Sequence, residues 1–257
     1  MATIPTSISY KFSMDLIQLA FFLEKVHDLT AIDNEILLKI DKEKILLYAA
    51  VGEKNNINAF KSYIFNTDEI FSFESEIEKE IRFIIINAKK FETTLKNYLD
   101  YQENIKCEFY MNDDTYVDNF KLKNSKLKLS ITGGDCRAVN TNIDMNMIAS
   151  VLNKDLIDFQ FSLDKNSFLK IKKIGDIDSE NDILTLNVID NALTIGENNW
   201  DLEICKIEHD ELSITFPKKY FKSITFTENE ITVYVFDTFI LIDNANTTLL
   251  ISLELIV

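Results

Sequence analysis

Glycine and proline are scarce in this chain, five and two among 257 residues, and arginine occurs only at Arg82 and Arg137. So few glycines exclude most ligand sites built on Gly-rich loops, and no P-loop, GxGxxG, GxSxG or HExxH pattern occurs. The two histidines, His27 and His209, have no ligand partner at i+4 and no CxxC nearby, so neither reads as a metal or catalytic residue. Asp176-x-Asp178-x-Glu180 opens like a calcium loop, but Asn181 and Asn187 stand where that loop needs glycine and glutamate. Cys107, Cys136 and Cys205 form neither a CxxC nor an even framework, and reduced thiols are expected. No apolar run approaches the ~20 residues of a membrane span, and Met1–Phe12 lacks a charged-then-apolar leader. A cytoplasmic protein with no membrane partner, no metal, no cofactor and no catalytic residue is the expectation. Abundant isoleucine, lysine and asparagine fit an AT-rich coding genome, microbial or viral.

What is present is apolar content of 46%, with 19 Phe and 9 Tyr, enough for a sizeable core. Most of it alternates at period two, as in Ile81–Ile86, Lys126–Ile131, Ile183–Val188 and Glu230–Val235. Asn112-Asp113-Asp114, Asp190-Asn191 and Asp243-Asn244 punctuate these strands. Four stretches have helical spacing instead. Met14–Asp28 follows a possible cap at Ser13 and turns Leu16, Leu19, Ala20 and Leu23 inward. Ala88–Tyr101 follows Asn87 and aligns Phe91, Leu95, Tyr98 and Leu99. Asp164–Ile174 places Phe168, Ile171 and Ile174 inward, and Pro217–Ser223 opens on proline. Each helix follows one strand and precedes about three, so the chain reads as β-α-β-β-β four times over: an α+β protein with helices on one face of antiparallel sheets.

Internal similarity supports a duplication. Tyr10-Lys11-Phe12-Ser13-Met14-Asp15 matches Phe159-Gln160-Phe161-Ser162-Leu163-Asp164, and Asn87-Ala88-Lys89-Lys90-Phe91 matches Phe216-Pro217-Lys218-Lys219-Tyr220. The first half carries extra chain, assigned to Ala50–Lys79. The expected domains are residues 1–131 and 156–257, with a connector over 132–155 that opens at Gly133-Gly134.

The net charge of −15 speaks against nucleic acid only until its distribution is considered. The four helical stretches hold eleven lysines against six acids, net +5, leaving −20 elsewhere. Solvated lysines on helix faces are one reading; a shared basic surface that meets a polyanion is the sharper one. Its candidate residues are Lys89, Lys90, Lys96, Lys165, Lys170, Lys172, Lys173, Lys218, Lys219 and Lys222. The first helix departs from the pattern, with Lys25 its only basic residue.

Four such units in two halves, with Lys-rich helices and junctions such as Phe161-Ser162-Leu163-Asp164, resemble the DNA sliding clamps. The likeness is to the two-domain type, the proliferating-cell nuclear antigens and the clamps of T4-like phages. That resemblance implies two tandem clamp-type domains and a six-domain ring, hence a homotrimer. Helices would line the hole around duplex DNA without base contacts, and an ATP-driven clamp loader would open the ring for a DNA polymerase. It also implies a partner pocket beside the connector and the C-terminal segment, with Leu253, Leu255 and Ile256 as lining residues. The subunit joint would pair Lys126–Ile131 antiparallel with Asn199–Ile207 of the next copy, through Lys126, Leu127, Lys128 and Leu129 on one side and Asp201, Leu202, Glu203 and Ile204 on the other. A structural or adhesive tandem β protein, such as a virion component, is the competing reading, and it needs neither basic helices nor a ring.

Overall fold

The computed structural model describes residues 8–53, 56–101, 103–111, 115–134, 156–177, 182–197, 199–226, 228–244 and 246–255. Four β-α-β-β-β modules follow one another. The first is β1 (Ile8–Met14), α1 (Leu16–Leu29), β2 (Ile36–Ile40), β3 (Lys44–Glu53) and β4 (Asn56–Asn66). A short insert, α2 (Thr67–Ile70) and β5 (Ser72–Phe73), leads to the second: β6 (Ile81–Ile85), α3 (Ala88–Lys96), β7 (Ile105–Met111), β8 (Val117–Lys123) and β9 (Lys128–Thr132). The third is β10 (Phe159–Asp164), α4 (Lys165–Ile177), β11 (Ile183–Ile189), β12 (Ala192–Glu197) and β13 (Trp200–Lys206). The fourth is β14 (Leu212–Pro217), α5 (Lys218–Phe221), β15 (Glu230–Val235), β16 (Phe239–Asn244) and β17 (Thr247–Ser252), with β18 (Glu254–Leu255) as a coda.

The chain forms two units, Met1–Ala50 with Ser62–Asn142 and Val51–Lys61 with Ile143–Val257. In the first, β5-β1-β7-β8-β9 makes a five-stranded sheet and β3, β2 and β6 are consecutive neighbours in another. In the second, β13-β12-β11-β14-β18 makes a five-stranded sheet, and β10, β15, β16, β17 and β4 lie side by side. Every described strand pairing is antiparallel, so alternate side chains face the core. In the first unit that core is aromatic: the Phe12 ring lies 4.8 Å from Phe71, 4.7 Å from Phe109 and 5.9 Å from Phe120. Burying each such ring contributes roughly 1.5–3 kcal/mol. In the second unit Phe168, Phe216 and Phe221 do the same work beside Leu184, Leu186, Ile195 and Val233.

The helix starts explain the repeats seen in the sequence. Asp15 caps α1 by accepting from Gln18 N, and the Gln18 side chain reaches back to Asp15 N, a capping box. Asp164 does the equivalent for α4, accepting from Asn166 N at 2.9 Å and Ser167 N at 3.0 Å. The expected cap at Ser13 is displaced because Ser13 stays in the ladder, opposite Lys106 and Ser72. The buried face of α1 is Leu19, Phe22, Leu23, Val26 and Leu29. Ala20, expected inward, is exposed because Phe22 and Val26 fill that place with larger apolar surface. Asn87 caps α3 as expected, but the helix stops at Lys96 rather than Tyr101.

The extra length of the first half is shared between longer strands and the insert: β3 and β4 have 10 and 11 residues where β12 and β13 have 6 and 7. Asp190 and Asn191, with φ of 51° and 60°, form the two-residue turn between β11 and β12. At Gly133-Gly134, where the expected connector opens, Gly133 N donates to Asp118 O, Gly134 N to Ile84 O, and a Cβ on Gly133 would lie 2.0 Å from Val117 O. Cys136, Arg137, the turn at 112–114, Asp178, Glu180, Asn181 and residues 135–155 of the connector expected over 132–155 lie outside the described residues.

Candidate nucleic-acid interface and subunit edges

In the first unit α1 and α3 pack side by side, with the Phe22 and Phe91 rings 6.2 Å apart and His27 Nδ1 3.0 Å from Glu92 Oε2. With their apolar faces turned inward, the polar faces of the helices are left to solvent. Lys89, Lys90 and Lys96 of α3, Lys165, Lys170, Lys172 and Lys173 of α4, and Lys219 of α5 are exposed. Lys96 pairs with Glu92 one turn back at 2.5 Å. Burial alone would raise the Glu92 carboxyl, but the hydrogen bonds from Lys96 and His27 outweigh it and hold it below the usual glutamate value. On α1, Lys25 pairs with Glu24 at 2.7 Å and lies over the rings of Phe21 and Tyr63. Its charge is spent locally, in keeping with the departure noted for this helix.

Two expected members of the basic surface are placed differently. Lys218 is buried, its ammonium donating to Glu197 Oε1 at 2.8 Å and to the Gly175 carbonyl at 3.1 Å. The reason is a register offset of one. Lys218 is the first residue of α5 and its N–H bonds Asp182 O, as Ala88 N bonds Asn34 O at the start of α3. Lys218 therefore takes the buried place of Ala88, not the exposed place of Lys89 that the sequence match had suggested. Lys222 is half-buried and held by Asp176 at 2.5 Å, which lowers the Asp176 carboxyl below its ordinary range.

Among the described residues the two strands expected at the subunit joint are both sheet edges: β9 ends a five-stranded sheet of the first unit and β13 ends the five-stranded sheet of the second. Each hydrogen-bonds on one side within its own sheet, β9 to β8 and β13 to β12. Lys128, Ser130, Asp201 and Glu203 are exposed, while Leu129, Ile131, Trp200, Leu202 and Ile204 are half-buried. A depression of about 310 Å³ beside β9 is lined by Leu129, Ile131, Phe91, Thr94 and Ile86, the last 49% exposed. Apolar side chains are thus left half-covered along both edges. Lys126 and Leu127 are not in the strand: they form the β8–β9 turn, where the Asn124 side chain accepts from both backbone N–H groups. Ile131 and Trp200 belong to these edges and were not singled out in the sequence; the alternation running on to Thr132 was the available signal. The ladder of β13 carries an irregularity at Ile204, after Asp201 and Glu203, so those two acids keep their two-residue spacing.

At the C-terminus, Leu255 sits opposite Ile214 in the β18–β14 pair and Leu253 N donates to Thr238 O. Ile256 lies outside the described residues. Among the described residues no group of three or more His, Cys, Asp or Glu is placed to hold a metal, and no helix is long and apolar enough to cross a membrane.

No family model and no curated protein sequence matches this chain. Solved structures do. A DNA polymerase III subunit beta from Borrelia burgdorferi, in complex with a natural product, superposes with a TM-score of 0.66 at 16% identity, covering 95% of this chain and 64% of that one. Proliferating Cellular Nuclear Antigen from Entamoeba histolytica gives 0.59 at 14%, over 95% and 98% of the two chains. The A. fulgidus proliferating-cell nuclear antigen with the C-terminal region of FEN-1 bound gives 0.60 at 12%, over 96% and 98%. The chain thus spans less than two thirds of that bacterial beta subunit and nearly all of the two nuclear antigens. It has the sliding-clamp fold: two clamp-type domains of antiparallel sheets and few helices.

Proposed function

We propose that this protein is a sliding clamp: a ring of three copies, closed head to tail, that encircles duplex DNA and tethers a DNA polymerase. The observation that carries the reading is the pair of free edges. Among the described residues the last strands of the second and third modules, β9 and β13, each end a sheet and bond on one side only. Joining β9 of one copy to β13 of the next gives each edge a neighbour, and heterologous contacts that close make a ring. Leu129 and Ile131 would meet Leu202 and Ile204 on the helix side, with Lys128 facing Asp201 or Glu203 on the other. Such exposed pairs contribute only about 0.2–1 kcal/mol each, so the ladder and the apolar face supply most of the stability.

The exposed lysines of α3, α4 and α5 then serve as the sequence-independent surface for DNA phosphates, with Lys89, Lys90, Lys165, Lys170, Lys172, Lys173 and Lys219 its main members. The role is topological rather than enzymatic, in a DNA-containing compartment such as the cytoplasm of a microbe or of an infected host. An ATP-driven loader opens the ring. The A. fulgidus likeness has a FEN-1 segment bound, which supports partner peptides as ligands; their pocket on this chain would lie near 132–155 and the Leu253–Leu255 segment.

The test is light scattering coupled to primer extension with a loader and polymerase. A trimer mass is expected for the natural chain, and a folded monomer without processivity for Leu129→Asp with Ile131→Asp. Lys170→Glu, Lys172→Glu and Lys173→Glu together should keep the trimer and lose processivity. A natural chain that stays monomeric at micromolar concentration, or unaltered processivity in the triple variant, refutes the reading.

A further inference from the structure

The outer face of the first unit's five-stranded sheet has a charge pattern that the ring does not require. On β1, β7 and β8 the core side chains Phe12, Cys107, Phe109, Phe120 and Leu122 are buried, and the alternate positions face outward. Across that outer face Lys106 stands directly opposite Lys123, and Lys123 directly opposite Lys128. The next row runs Lys11, Glu108, Lys121 and Ser130. A shallow groove of about 660 Å³ lies over these rows, with five lysines and only Glu74 and Glu108 as acids, in a chain whose net charge is −15. Among the described residues none of the five makes an ion pair within 4.0 Å. Like charges directly opposite across strands destabilise a sheet. Lys106 directly opposite Lys123 therefore costs stability that an anionic ligand would recover, apart from whatever Lys128 meets at the joint. The five-stranded sheet of the second unit is the internal control: its corresponding rows include Glu203, Thr194, Asn187 and Ser213, with no lysine among them.

We propose that this face binds the phosphate backbone of a single nucleic-acid strand, at a site separate from the helices. A protein partner would be expected to use apolar anchors, and the outward positions of these rows offer none: they carry lysine, serine, Glu108 and, one row on, Tyr110 and Asn119. Lysine and hydroxyl groups are what phosphate contacts use. Tyr110, with the Lys121 ammonium 4.8 Å from its ring centre, adds a surface on which a base can stack. The lysine row crosses three strands and is about 10 Å long at the usual strand spacing. A single strand also leaves its bases free to meet Tyr110, which a paired duplex does not.

The experiment titrates the full chain with a labelled oligothymidylate of about 12 nucleotides, a length within the usual site sizes for single strands, over a range of salt. The comparison variant is Lys106→Gln, Lys121→Gln and Lys123→Gln, which leaves Lys128 at the edge strand untouched. Affinity should fall at least tenfold and the salt slope by about two, since each lost single-strand phosphate contact removes roughly 0.7. Thermal unfolding should be unchanged or higher, because repulsion has been removed. The helix variant Lys170→Gln, Lys172→Gln and Lys173→Gln should keep this single-strand binding. An unchanged slope in the sheet variant overturns the proposal, as does loss of binding in the helix variant alone. Tighter binding of a polyglutamate of equal charge overturns it in favour of an acidic protein partner, and tighter binding of a duplex overturns the single-strand assignment.

Discussion

Replacing Lys218 by Met tests whether a buried ion pair holds α4 and α5 in place. The ammonium lies 2.8 Å from Glu197 Oε1, with the two side chains 6% and 0% exposed. At that distance and an effective dielectric of about 20 the attraction is roughly 6 kcal/mol, most of it offset by the cost of taking both charges out of water. Removing the lysine leaves the Glu197 carboxyl buried without its cation, with Oε2 already lacking a hydrogen-bond partner, and takes a donor from the Gly175 carbonyl. The expected loss is about 3–5 kcal/mol. Lys218→Met with Glu197→Gln removes both charges, and most of the loss should return, giving a coupling of about 2 kcal/mol or more. Urea unfolding of the four proteins, followed by circular dichroism, measures it. A single-variant loss below about 1 kcal/mol, or additive losses, would show that the pair is incidental and that apolar packing alone seats α5.

Three further outcomes follow from the geometry. Asp164→Ala should destabilise the second unit by about 1 kcal/mol in thermal unfolding, because it removes the acceptor for Asn166 N and Ser167 N; Asp164→Asn should recover most of it. The His209 ring bonds the Asp210 carbonyl and faces Asp158 at 3.2 Å, and the first of these contacts chiefly raises its pKa. Its stabilisation is therefore fully present below the unfolded value of ~6.5 and lost as pH rises through the folded one. His209→Gln should cost more at pH ~5.5 than at pH ~8.5, and an equal cost at both would refute the assignment. Asn191→Ala should lose about 1 kcal/mol, since alanine tolerates the left-handed backbone less well, whereas Asn191→Gly should not.

The strand order of modules was legible because alternation and helix caps are local: Asn87 and Asp164, together with the turn Asp190-Asn191, mark their elements in the sequence itself. The boundary of β9 was not. Lys126 and Leu127 continue the alternation of Lys128–Ile131, and only the Asn124 side chain bonding their backbones reveals a turn. Lys218 was misplaced for a related reason. A match of Lys-Lys-Tyr to Lys-Lys-Phe aligns residue types, while the fold aligns helix starts, and the two differ by one residue. The lysines of the sheet face escaped notice because their opposition arises across strands, between positions 106, 123 and 128, and no window along the chain brings them together.

Strand β4 has a consequence for how the polypeptide is made. The second unit is assembled from residues 51–61 and 143–257, so β4, synthesised early, waits for β17 to emerge before it can take its place in that sheet. Contacts of such sequence separation slow folding and postpone it until most of the chain has emerged. The two sequence halves are then not separable parcels. A fragment starting at Ile143 would expose the flank of β17, and a synthetic peptide covering Val51–Lys61 should bind there and protect its amides from exchange. The duplicated sequence reads as two halves, but the second is completed by a strand borrowed from the first.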